Sequence, residues 1–145
     1  MDRSGAFAYR APTLLLIEDN PGDVRLLTEA FEELHVDVRF QVAKDGSEAL
    51  EMMLRTGDTH PDLILLDLNL PKISGHEVLS ALKKDPRTLR IPVIVLSSSR
   101  AESDISRDYG SHANAYLKKP STLEDLMSAV ERIQKFWLET ATLPQ

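Results

Sequence analysis

The chain has 145 residues, 42% of them hydrophobic and 28% charged, proportions that suit one globular domain with a single sizeable core and argue against a disordered segment. Its 23 acidic residues against 17 basic ones leave a formal net charge of -6, which disfavours direct nucleic-acid binding and attraction to anionic membranes. With no cysteine, disulfides, thiol nucleophiles and thiolate metal sites are excluded, and apolar runs at 14–17, 63–66 and 91–96 fall far short of the roughly 20 residues of a membrane helix, so a cytoplasmic location is expected.

The opening MDRSGAFAYR lacks the apolar stretch of a secretory signal. Residues 1–11 read as an extension, 12–136 as the domain and 137–145 as a tail. A first strand is predicted at 13–17, followed by a helix that turns Val24, Leu27, Phe31 and Leu34 inward at spacings of three and four. A second strand is expected at 36–43, then a helix with Ala49, Leu50 and Met53 inward. After a third strand at 62–67, Ser74 stands three residues before Glu77 in a capping-box arrangement. That helix should stop near Asp85, because Pro86 biases the residue before it away from helix. Strands at 93–97 and 113–117 follow, separated by a further helix. The last helix is expected to open with Ser121 three before Glu124 and to carry Leu123, Leu126, Val130, Ile133 and Trp137 as one apolar stripe.

Five short apolar runs alternating with amphipathic stretches of helical length predict an α/β protein, a doubly wound parallel sheet with helices on both faces. Its ligand crevice should lie at the carboxyl ends of the strands. Glu18 and Asp19 follow the first run, Asp67 ends the third, Ser97 ends the fourth and Lys119 lies just beyond the fifth. In the flavodoxin-like strand order 2-1-3-4-5 these ends are near neighbours, and three carboxylates converge. Carboxylates about 4 Å apart repel by about 4 kcal/mol at an effective dielectric near ~20, so the cluster calls for a cation. Magnesium suits it, being a hard ion that one or two carboxylates, a carbonyl and waters can hold while positions stay open for phosphate oxygens. Two charges from that ion and one from Lys119 balance the three carboxylates. Asp67 can then act as nucleophile toward a phosphoryl group.

The segments LLLIEDNPGD, ILLDLNLPKISG, VIVLSSS and AYLKKP together resemble the signature segments of two-component response-regulator receiver domains, over roughly residues 12 to 136. Pro71 and Gly75 follow Asp67 at the family's spacing. The resemblance implies that Asp67 accepts phosphate from a sensor histidine kinase. It also implies that Asp19, Asp67 and the Asn69 carbonyl bind magnesium, that Glu18 assists through water, and that Lys119 contacts the phosphoryl group. Ser97 and Tyr116 take the positions of the hydroxyl and aromatic switch residues, with the readout on the surface of the last helix and of the helix between the fourth and fifth strands. Glu18 stands where aspartate is more frequent. Of the pair Lys118 and Lys119, the second is chosen because it precedes Pro120 and because strand alternation sends the two to opposite faces.

The EDNPGD segment and the tail FWLETATLPQ, with no output domain expected, are similar to the small response regulators of cyanobacterial-type phytochrome kinases. That likeness implies a light-regulated kinase as donor and a homodimer through Phe136, Trp137 and Leu138, the plainer alternative being a tail that folds back on its own domain. Plainer readings exist for single residues: Asp19, Asn20 or Asp23 could merely cap the first helix, Ser97 could be a local hydrogen-bonding residue and Tyr116 core packing. His35, His60, His76 and His112 show no ligand spacing. A haloacid-dehalogenase-like phosphatase is the enzyme alternative, but it wants an aspartate where Asn69 stands, leaving no general acid. A receiver-shaped scaffold that takes no phosphate is the third reading.

Overall fold

The structure, a computed structural model, describes residues 11–55, 60–97, 115–120 and 122–135, without the side chains of residues 54, 55 and 116. In chain order the elements are β1 (Thr13–Ile17), α1 (Pro21–Glu33), β2 (Arg39–Ala43), α2 (Gly46–Arg55), β3 (Leu63–Asp67), α3 (Gly75–Lys84), β4 (Val93–Ser97), β5 (Ala115–Lys118) and α4 (Leu123–Lys135). The strands pair in parallel in the order β2-β1-β3-β4-β5, the flavodoxin-like order.

The continuous apolar runs form the strands that are covered on both faces, and β3 and β4 are buried along their whole length. Alternate side chains divide the core in two. Leu15, Ile17, Ile64, Leu66, Val93 and Val95 pack with α2 and α3, which contribute Ala49, Met53, Val78, Leu79 and Leu82. Leu14, Leu16, Leu63, Leu65, Ile94 and Leu96 pack with Leu27, Ala30 and Phe31 of α1 and Leu126, Val130 and Ile133 of α4. Each of these side chains larger than alanine contributes about 1.5–3 kcal/mol when fully buried. The edge strand β2 shows the other pattern, with Arg39 and Gln41 exposed and Ala43 buried.

Register sets the height of the site. Ile17 lies beside Leu66 and beside Ala43, so the residue after each strand end emerges on one edge. Asp67 pairs with Leu96 and Ser97 with Lys118.

Several boundaries differ from the sequence expectation. The second strand begins at Arg39, not at residue 36, because residues 34–36 close α1. Leu34 is the C-cap, His35 adopts a left-handed backbone (φ 57°), and the N–H groups of His35 and Val36 donate to the carbonyls of Glu32 and Phe31, both at 3.0 Å. This is a Schellman closure, with Val36 turned onto the α1 core face near Phe31. The third strand begins one residue later than expected, although the Asp62 N–H still donates to the Thr13 carbonyl at 2.8 Å. The fifth strand begins at Ala115, its predicted start at 113 lying outside the described residues.

α3 has the expected capping box between Ser74 and Glu77 and ends before Asp85. In α4 it is Thr122 whose hydroxyl accepts from the Asp125 N–H at 3.0 Å, one position later than the expected box, and Ser121 lies outside the described residues. Leu123 does not join the apolar stripe: it is 64% exposed. It is the first residue of α4, and helical side chains lean back toward the N-terminus, which carries it off the end of the core. Trp137 and the helix expected between β4 and β5 lie outside the described residues. No helix among the described residues is long and apolar enough to cross a membrane.

Candidate functional site

The turn after β1 places the first carboxylates. The Glu18 N–H still donates to the Ala43 carbonyl at 3.0 Å, so the residue stays in the sheet edge and its side chain is only 3% exposed. Asn20 then caps α1, accepting from the Gly22 and Asp23 N–H groups at 2.8 and 3.2 Å, with Pro21 opening the helix. The Asn20 N–H also donates to Glu18 Oε2 at 3.2 Å. The cap thus fixes one oxygen of Glu18 as well as the start of α1. Asp19, between them, is exposed.

Asp67, at the end of β3, is 2% exposed. Its Oδ1 accepts from the Asn69 N–H at 3.1 Å and its Oδ2 from Lys119 Nζ at 3.2 Å. The loop beyond it folds tightly, the Gly75 N–H donating to the Leu68 carbonyl at 3.2 Å. A Cβ on Gly75 would meet Leu68 Cα at 2.6 Å and the Asp67 carbonyl oxygen at 2.8 Å, so only glycine allows this approach.

Lys119 continues the β4–β5 pairing by donating its N–H to the Ser97 carbonyl at 2.7 Å. Its ammonium meets Glu18 Oε1 at 2.8 Å, Asp23 Oδ2 at 2.9 Å and Asp67 Oδ2 at 3.2 Å. Burial alone would lower the affinity of this amine for its proton; the hydrogen bonds it donates to Glu18 and Asp23 and the charges of Asp67 and Glu18 outweigh it and leave the pKa raised. Burial is the largest influence on Glu18 too, and with the Asp67 charge it pushes that carboxyl up to about 7 against the pull of Lys119 and Asn20.

Glu18, Asp19 and Asp67 offer carboxylate oxygens that all lie within 4.8 Å of one another. An all-oxygen donor set, with one member whose charge is disfavoured when no further cation is present, fits a hard divalent ion. Ser97 is fully buried at the end of β4, one residue beyond the partner of Asp67 in the ladder. Lys118 is exposed and Lys119 turns to the site. Asn69 is exposed and reaches the site through its backbone. Tyr116 pairs with Val95 in the sheet, but its side chain, like Phe136, Trp137 and Leu138, lies outside the described residues. One participant was not foreseen. Asp23, which the sequence offers as a helix cap, is an ion-pair partner of Lys119; its place in the first turn after the β1 end, four residues past Asp19, is the signal that it shares the crevice.

An open parallel sheet of this order, with buried acid and lysine at its carboxyl edge, defines a flavodoxin-like α/β protein whose crevice is built for a cation and an anionic group together. The profile of the response regulator receiver domain matches residues 14–131. The chain belongs to that family, and phosphorylation by a kinase is the function expected of it. It is 43% identical over 135 residues to the response regulator Rcp1 of Synechocystis sp., covering 90% of this chain and 92% of the relative. Among solved structures, the phosphorylated cyanobacterial phytochrome response regulator RcpA is similar with a TM-score of 0.85 and 44% identity, over 94% of this chain and 100% of that one. The Mn(2+)-bound form of Rcp1 is similar with a TM-score of 0.83 and 41% identity, over 92% and 99%.

Proposed function

We propose that Asp67 is the phosphoryl acceptor of a response regulator served by a phytochrome-type histidine kinase, with magnesium held by Asp19, Asp67 and the Asn69 carbonyl and with Glu18 assisting. The observation that carries this reading is the Asp67 carboxylate itself, ending an apolar strand, buried, and touching Lys119 Nζ beside two further carboxylates. An oxygen of Asp67 forms the new bond to phosphorus while the bond from phosphorus to the donor nitrogen breaks, its electron pair staying with the departing imidazole. The divalent ion, when bound, neutralises charge on the transferring oxygens.

Lys119 is placed to follow the charge as it moves from the carboxylate onto the phosphoryl oxygens, and the Asn69 N–H orients Asp67 through its other oxygen. The Ser97 hydroxyl, one rung beyond, is the group that phosphate oxygens would draw across, making room for Tyr116 behind it. The readout would follow on the surface around α4. The phytochrome connection is supported by the names of two similar structures, RcpA and the bacteriophytochrome response regulator AtBRR, the latter 37% identical. The homodimer through the tail belongs to the same proposal, as does action without direct nucleic-acid contact. Asn69, exposed where a phosphatase of this shape would need its acid, speaks against a hydrolase.

Incubation with phosphoramidate and magnesium should add the mass of one phosphate, and Asp67→Asn should abolish the gain. An unlabelled wild type would refute the assignment. Transfer from a phytochrome kinase that changes with red and far-red light tests the donor.

A further inference from the structure

Asp23 is the member of the carboxylate cluster that phosphoryl transfer as described above does not use. We propose that Asp23 is a positioning residue that holds Lys119 back, its carboxylate competing with incoming phosphoryl oxygens for the lysine ammonium and so setting how fast Asp67 is phosphorylated. This rests on the reading of Asp67 as acceptor.

An ammonium has three N–H donors, and in Lys119 three carboxylates claim them, at 2.8, 2.9 and 3.2 Å, with Asp67 the longest. To approach the incoming phosphoryl group while Asp67 is still an unmodified carboxylate, Lys119 has to loosen its hold on one of the other two. Glu18 is a poor one to release: its side chain is 3% exposed, and stripping a buried carboxylate of its cation is costly. The Asp23 side chain is 39% exposed, so water can replace the lysine there.

The carboxylate of Asp23 is also free of the helix cap, since it is the backbone N–H of Asp23 that donates to Asn20 Oδ1. Space for the exchange exists as well. A cavity of about 40 Å³ lies against Glu18, Asp23 and Lys119, walled by Leu26, Leu96 and Pro120. Finally, a carboxylate at the mouth of the site repels any phosphodonor, since all are anionic.

The test measures the rate constant for phosphorylation of the full chain by phosphoramidate with magnesium, and the affinity for beryllofluoride as a stand-in for the phosphoryl group. Asp23→Ala and Asp23→Asn should each raise both by roughly threefold or more, the scale of removing one unit charge several ångströms away in a water-like dielectric. Asp23→Glu should restore wild-type values, which a merely structural role for the residue would not explain. Should Asp23→Ala fail to fold, Asp23→Asn decides. Rates unchanged or slower in folded variants overturn the proposal. Asp67→Asn separates the two layers: label lost there with Asp23 variants at the wild-type rate overturns the role of Asp23 alone, whereas label retained overturns the acceptor and this inference with it.

Discussion

Glu18 carries a charge in a place that resists charge. Its carboxyl is raised from the ordinary 4.5 to about 7, first by burial and then by Asp67. Between those values the folded chain holds a proton that the unfolded chain has released, so the contribution of Glu18 to stability is greatest near and below pH 4.5 and falls as pH rises toward 7, by about 3 kcal/mol at most. Urea unfolding without divalent ions should show that decline between about pH 5 and 7.5 in the wild type relative to Glu18→Gln, which lacks the titrating group. A constant difference between the two across that range would refute the assignment. Gly75 works by absence of a side chain. A methyl there would press on Leu68 Cα and the Asp67 carbonyl oxygen, backbone atoms with no room to yield. Gly75→Ala should therefore cost about 2–3 kcal/mol by overpacking, and it should slow phosphorylation by shifting Asp67. The same change at Gly22, where a Cβ meets only the Asn20 side chain at 3.1 Å, should be far milder in chemical denaturation.

At the scale of elements, α1 ends on a residue unsuited to its conformation. His35 occupies the left-handed position of the Schellman closure, where glycine avoids a cost of roughly 1 kcal/mol. His35→Gly should raise stability by about 0.5–1 kcal/mol in urea unfolding, and a loss would show that the side chain makes up for its backbone. This position also explains why the sequence pattern places the start of the second strand too early. Residues 36–43 have a strand-like composition, and with histidine where glycine usually stands nothing announced that Val36 belongs to the helix closure. β1, β3 and β4 were legible because a run buried on both faces leaves no polar residue to confuse it. The start of α4 was misjudged by one position because Ser121 and Thr122 are both competent caps, and only the Asp125 N–H at Thr122 distinguishes them. Glu18, Asp67 and Lys119 could be placed at one edge from strand ends alone. The grip of Asp23 on Lys119 could not, because it depends on how α1 leaves the sheet, a direction fixed by Asn20 and absent from any spacing rule.

Across the whole molecule, apolar side chains cover both faces of the sheet, while its carboxyl edge gathers Glu18, Asp23 and Asp67 around Lys119 and brings Asp19 beside Glu18 and Asp67. Among the described residues, Glu18, Asp19, Asp23 and Asp67 outnumber the single ammonium of Lys119 that reaches them, in a chain already at -6. The fold therefore bears an electrostatic cost that a divalent ion would offset, and binding to the folded state alone would stabilise it by about 2.7 kcal/mol at a hundredfold excess over Kd. The gain must depend on pH. With Glu18 protonated below about 7, a bound cation has to displace that proton or forgo the contact, whereas above 7 the carboxylate stands ready. The rise in unfolding midpoint from a fixed magnesium concentration should accordingly be larger at pH 8 than at pH 6, and removing the ion with a chelator should reverse it at both. In Glu18→Gln the contrast between the two pH values should shrink. A gain equal at both in the wild type would mean that Glu18 takes no part in holding the cation, and the site would then reduce to Asp19, Asp67 and the Asn69 carbonyl.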